Sequence, residues 1–137
     1  MIGYVSVGAN DLTAAERFYS AVLPRLGYGL EISHEGLSYA IPATGDGPRP
    51  PDFYVKPPHD GKAASNGNGS MVAFEVPGQT LVRELHAAAL AAGGSTEGSP
   101  GFRAAYSAHF YVGYLRDPQG NKIALYSSDP TKPGRPD

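Results

Sequence analysis

The chain follows one plan twice. Sliding it by 67 residues pairs Val5 with Val72, Thr13 with Thr80, Phe18 with Leu85, Ala21 with Ala88 and Gly27 with Gly94. Strand, helix start, apolar stripe and terminal glycine all coincide at that one offset. This predicts two copies of a single supersecondary unit, neither of which can bury its apolar face alone. With 137 residues in total, two such copies fill one domain rather than two.

The unit can be read from its first copy. "IGYVSV" alternates, with Val5 and Val7 on one face and Ile2, Tyr4 and Ser6 on the other, as a half-buried strand does. A helix follows, with Thr13 and Glu16 placed as a capping box, a stripe of Ala15, Phe18, Tyr19, Val22 and Leu26, and Pro24 to end or kink the last turn. Strands are expected around Tyr28 to His34, Leu37 to Ile41 and Asp52 to Lys56, separated by turns such as "GDGPRPP". The second copy opens with "MVAFEV" and a helix from Gln79 to Gly94, whose apolar face is Val82, Leu85, His86 and Ala89. A short strand near Ser95 to Gly98, a loop around "GSPGFRAAYSAH", a strand from Phe110 to Leu115 and a final strand after the "RDPQGN" turn complete it. In that final strand Lys122, Ala124 and Tyr126 share one face and Ile123 and Leu125 the other.

The expected fold class is therefore α+β, two βαβββ modules in tandem. Module one spans 1–56, module two 70–127, and together they make a single domain over 1–127. The stretch between them, 57–69, is polar and rich in Gly, Asn and Pro and reads as a linker or mobile loop; the tail, 128–137, reads as flexible.

Composition excludes several function classes. Eleven Lys and Arg against thirteen Asp and Glu leave a net charge of −2 with no basic cluster, so neither nucleic acid nor an anionic membrane is an expected partner. Zero cysteines rule out disulfides, thiolate metal sites and a cysteine nucleophile. No apolar run approaches the ~20 residues of a membrane span. The start, "MIGYVSV", lacks a basic region followed by an apolar core, so no signal peptide is expected and a cytoplasmic location is the default. No nucleophile and base have a recognisable spacing and no phosphate-binding glycine loop occurs, so the residues alone name no catalytic group.

Three segments, "YVSVGANDLTAAERFYSAVLPRLGY", "GSMVAFEVPG" and "YLRDPQGNKIALY", resemble the vicinal oxygen chelate superfamily, the glyoxalase, bleomycin-resistance and extradiol-dioxygenase group, across residues 1–127. The resemblance implies curved mixed sheets that enclose a cavity, usually completed by a dimer partner. A homodimer and a small organic ligand or substrate are therefore the expected partners. Metal-using members place one ligand on the first and one on the last strand of each module. The matching positions here are Tyr4, Tyr54, Met71 and Ala124. Two tyrosines, a thioether and a side chain with no donor atom make no recognisable divalent site. The expectation is a protein without metal or other cofactor that holds a small molecule. The alternative is a metal-dependent glyoxalase-like lyase or dioxygenase with unconventional ligands.

Further candidates for the ligand-facing surface are Lys122 and Tyr126, which share a face with Ala124, together with Lys56 and Glu75, an even number of positions from Tyr54 and Met71 and so on their strand faces. Lys122 and Glu75 are also placed to pair with each other across the sheet. His109 precedes the Phe110 to Leu115 strand beside Tyr106 and Tyr111, where the loop can fold over the cavity mouth, so His109 and Tyr111 join the set. The alternative reading of His109 is a loop histidine bonded to backbone. His34 and His59 fall in turns, and His86 reads as a packed helix residue.

Overall fold

The computed structural model describes all 137 residues. Module one is built from β1 (Tyr4–Gly8), α1 (Leu12–Ser20), β2 (Gly29–Ser33), β3 (Gly36–Ala40) and β4 (Asp52–Lys56), with a short 3₁₀ turn at Leu23–Leu26. Module two repeats the order with β5 (Val72–Glu75), α2 (Gln79–Ala91), β6 (Ser95–Phe102), β7 (Tyr111–Arg116) and β8 (Lys122–Ser127). The sheets have matching topologies, β1-β4-β3-β2 and β5-β8-β7-β6. In each, the first strand pairs in parallel with the last and the other pairs are antiparallel. A parallel partner demands a crossover, and the helix supplies part of it. The two four-stranded mixed sheets are curved and not closed.

Each helix covers one face of its sheet. In α1 and the turn after it, Ala15, Phe18, Tyr19, Val22 and Leu23 are buried; in α2, Val82, Leu85, His86 and Ala89 are. Both helix faces follow from the 3.6-residue period. One cluster of buried side chains runs through both modules, with the Phe53 and Phe74 rings edge to face at 5.2 Å between centroids.

Between the modules, by contrast, no strand ladder forms, and every hydrogen bond that crosses involves a side chain. The Tyr19 hydroxyl donates to Asp117 Oδ2 at 2.6 Å. Asn121 Nδ2 donates to the Gly8 carbonyl at 2.8 Å, Gln119 Oε1 accepts from the Asn10 amide at 2.9 Å, Arg17 Nε reaches the Ala92 carbonyl at 3.3 Å, and Arg25 pairs with Glu84 at 2.7 Å. Gly94 lies against Phe18 so closely that a Cβ there would collide with the ring. The "DPQGN" turn is thus a staple: Asp117 Oδ1 accepts from the amides of Gln119, Gly120 and Asn121, each at 2.9 Å, while Oδ2 takes Tyr19 and Asn121 Nδ2.

Four local expectations need correction. The cap of α1 is Asp11, whose carboxylate accepts from the Ala14 amide at 3.0 Å; Thr13 lies inside the first turn, and the carboxylate one residue before the helix takes the position. Strand β6 continues to Phe102, well past Gly98, with register shifts on the way; as an edge strand it tolerates the Pro100 and glycines that read as loop. The segment between modules is tied down, since the Ala64 amide donates to Asn10 Oδ1 and its carbonyl accepts from Gln119 Nε2. The tail is docked too: the Arg135 amide bonds to the Ala108 carbonyl, its guanidinium reaches the carbonyls of Arg103 and Tyr106, and the Gln79 amide group donates to the Pro133 carbonyl.

Candidate functional site

Strand alternation sorts the side chains of each sheet between the helix side and an open face. In module one the ladder β1–β4 pairs Tyr4 with Asp52 and Ser6 with Tyr54, and these share the open face with Lys56. In module two, β5, β8 and β7 place Ala73 beside Ala124 and Glu75 beside Tyr126, with Tyr114 across from Ala124. Met71 immediately precedes β5 in the same alternation. The structure therefore puts Tyr4, Tyr54, Met71, Lys122, Ala124 and Tyr126 on one side of the two sheets.

Their chemistry is less uniform than their placement. Tyr4 is 65% exposed and its ring is tilted against Tyr54, 5.3 Å between centroids. The Tyr54 hydroxyl is committed to Asp52 Oδ2 at 3.1 Å, and that hydrogen bond, with burial and the Asp52 charge adding to it, raises its phenol above the usual value. Met71 is 47% exposed, whereas Ala124 is 1% exposed. Across from Ala124 stands Tyr114, whose ring carries the Lys122 ammonium at 5.2 Å and the Arg103 guanidinium at 5.5 Å. Tyr126 stacks on Phe110 at 5.5 Å; burial first and Glu75 second push its phenol up. Nowhere do three His, Asp or Glu side chains gather closely enough to hold a metal ion.

Two candidates fall elsewhere. Tyr111 is on the helix side of β7 with Leu115, is 7% exposed, and accepts a hydrogen bond from Arg83 of α2 at 3.1 Å. Its alternation with Val112 sets that side, because the ladder pairs Tyr111 with Ser127 rather than with Tyr126. His109 lies under the docked tail, where a Cβ on Gly134 would approach its ring to 3.2 Å, and its Nδ1 is buried with no hydrogen-bond partner. Lys122 and Glu75 do not pair, since Lys122 sits over Tyr114 and the ion pairs of the chain lie elsewhere.

The feature that sequence reasoning missed is at the other end of β4. Asp52 is 8% exposed, its Oδ2 accepts from Tyr54 and from Arg49 Nη2 at 3.1 Å, and its Oδ1 is buried without a partner. It borders a cleft of about 360 Å³ where the starts of β1 and β5 meet, eight of whose eleven lining residues are hydrophobic, Ile2, Tyr28, Phe53, Met71 and Phe74 among them. The signal available beforehand was the i, i+2 spacing of Asp52 and Tyr54, which puts a carboxylate on the same strand face as a matched position.

Neither a family model nor a curated protein matches the sequence. Solved structures do. A glyoxalase/bleomycin resistance protein from Albidiferax ferrireducens T118 is 37% identical, with a TM-score of 0.80 over 94% of this chain and 99% of that one. A glyoxalase/bleomycin resistance protein/dioxygenase family enzyme from Burkholderia phytofirmans PsJN shares 19% identity at a TM-score of 0.67, covering 93% and 98%. A lactoylglutathione lyase from Agrobacterium tumefaciens shares 20% at 0.58, covering 93% and 92%. The last two show likeness of fold alone.

Proposed function

The chain belongs to the glyoxalase/bleomycin resistance protein/dioxygenase family, the vicinal oxygen chelate superfamily, and from that premise we propose that it holds a small organic molecule at the seam of its two modules without a divalent metal. The observation that carries this reading is Ala124. By the family resemblance it falls where metal-using members carry a metal-binding carboxylate; it offers no donor atom and is enclosed beside Tyr114. The other three matched positions do not make up for it: the Tyr54 hydroxyl is engaged by Asp52, Met71 is a soft thioether, and Tyr4 stands alone. The donor set does not fit the metal that the family implies. What the seam offers instead is an apolar cleft edged by exposed Ile2 and Met71.

Protein purified from medium supplemented with nickel, zinc, manganese and iron is expected to retain far less than one equivalent of any of them by inductively coupled plasma analysis. Stoichiometric retention would overturn the reading in favour of unconventional ligands. A thermal-shift screen of aromatic metabolites, amines and thiol conjugates in the presence of chelator is expected to give hits. A ligand at 100 times its Kd stabilises by about 2.7 kcal/mol, a rise in Tm on the order of 10 °C.

We also propose that a second copy of the chain covers the open faces of the sheets. Exposed Ile2, Tyr4 and Met71 on that side support it. Sedimentation equilibrium is expected to return twice the mass of 14.3 kDa, and a monomer at micromolar concentration would sink it.

A further inference from the structure

On the open face of module two, two strands away from β5 and the cleft at the seam, we propose a second site, in which Lys122, Arg103 and the Tyr114 hydroxyl hold the carboxylate of a small aromatic acid. Two like charges stand there without a counter-charge. The Lys122 ammonium and the Arg103 guanidinium lie 5.2 and 5.5 Å from the centre of one ring, that of Tyr114. Neither belongs to any of the chain's ion pairs, which join Arg25 to Glu84, Arg49 to Asp52 and Arg116 to Glu97. Glu75, the carboxylate of β5 that shares this face, stands beside Tyr126 and pairs with neither cation. The π face of Tyr114 attracts both cations but carries no net charge to neutralise them. The whole chain carries −2, so the unneutralised pair is a local feature and not a general excess of base.

All three groups are within reach of a ligand. The only unpartnered side-chain polar atoms that the fold encloses are Asp52 Oδ1 and His109 Nδ1, so the Lys122 ammonium, Arg103 Nε and the Tyr114 hydroxyl, which also bond to nothing in the chain, are open to solvent. The guanidinium is fixed in advance: Nη2 donates to the Ser99 carbonyl at 2.8 Å and Nη1 to the Phe102 carbonyl at 3.2 Å, which leaves Nε and one N–H of each Nη for a ligand. Gly98 makes that pose possible, because a Cβ there would stand 3.1 Å from both Arg103 Nη2 and Tyr114 Cδ2. Gly98 and Ala124 are also the ladder partners of Tyr114 on the two neighbouring strands, so neither raises more than a methyl group beside the ring. A planar guanidinium presenting adjacent N–H groups matches the two oxygens of a carboxylate, and the ammonium supplies a second charge-assisted bond. Tyr126, two positions along β8 from Ala124 on the same face and stacked on Phe110 at 5.5 Å, adds aromatic surface for a ring on the acid.

Isothermal titration of the intact protein near neutral pH compares phenylacetate with phenylacetamide, which has the same shape and no charge. The acid is expected to bind at least about tenfold more tightly, and the preference is expected to narrow in about 1 M salt, where the screening length is ~3 Å. Lys122→Gln is expected to reduce the preference and the double variant Lys122→Gln/Arg103→Gln to abolish it. Lys122 bonds to nothing in the chain, so its replacement keeps the test open even if loss of the Arg103 backbone bonds prevents the double variant from folding. Equal binding of acid and amide would overturn the site, as would a preference that survives unchanged in folded Lys122→Gln. Binding of neither at saturating concentration would also overturn it, while leaving the small-molecule reading of the seam to its own screen. A dimer that dissociates on Lys122→Gln while no acid binds would overturn it in favour of a second copy of the chain as the source of the counter-charge.

Discussion

Asp117→Ala is expected to lower stability by about 3–5 kcal/mol and the melting temperature by roughly 10–20 °C. The carboxylate is buried and serves five donors at once: three backbone amides of its own turn, the Asn121 side chain and the Tyr19 hydroxyl from the other module. Truncation to a methyl group leaves the side-chain donors without their acceptor in a place where water replaces it poorly. Burial first and Asp117 second hold the Tyr19 phenol well above its ordinary value, so it remains a donor across the accessible pH range. Tyr19→Phe removes one of the five bonds and is expected to cost about 1.5–3 kcal/mol. Denaturant titrations of both variants and of the double variant check this. If Asp117→Ala costs no more than Tyr19→Phe, the turn is held by something other than its carboxylate.

Ala124→Glu, which puts a carboxylate where the family resemblance locates a metal ligand, is expected to cost about 3 kcal/mol or more and to yield no metal site. The methyl group is enclosed next to Tyr114, so a glutamate must either be buried with its charge or displace that ring from between Lys122 and Arg103. Even a well-placed carboxylate would find Tyr54 already bonded to Asp52 and a thioether at Met71. The check is the melting temperature with and without nickel or zinc. A variant at least as stable as the parent that gains further stability with one equivalent of metal would show that Ala124 alone stands between this chain and the family's metal chemistry.

Elements with a strong period were legible without coordinates. The 67-residue offset carries Leu12, the start of α1, onto Gln79, the start of α2, and the alternation of "KIALY" separates Ala124 from Ile123 and Leu125 as the ladder does. What eluded the sequence is tertiary in origin. Along the chain Tyr111 neighbours His109 and reads as open-side, but which face of β7 it takes is set by its register against β8, and register is a relation between strands. The tail has the Pro-rich, polar composition of a free segment. Its docking runs through backbone carbonyls at Ala108, Arg103 and Tyr106, which have no residue-type signature. In the sequence Asp52 is the first residue of a strand, two positions before Tyr54, and nothing there marks it as buried. Its importance comes from β5 of the other module closing the cleft beside it.

The seam made only of side-chain bonds has a consequence for how copies of this chain can assemble. A contiguous ladder would weld the two halves through their backbones; here the halves meet as two folded surfaces would, with Asp117, Asn121 and Gln119 reaching across. The same contacts are available between module one of one chain and module two of another, the exchange known as domain swapping. Which of the two arrangements forms depends on effective concentration, and that is set by the stretch from Pro57 to Ser70. Its anchorage to Asn10 and Gln119 through Ala64 holds the second module near the first and favours closure within the chain. The polar segment is the part of the molecule that decides whether one gene product completes its own fold or lends half of it to a neighbour.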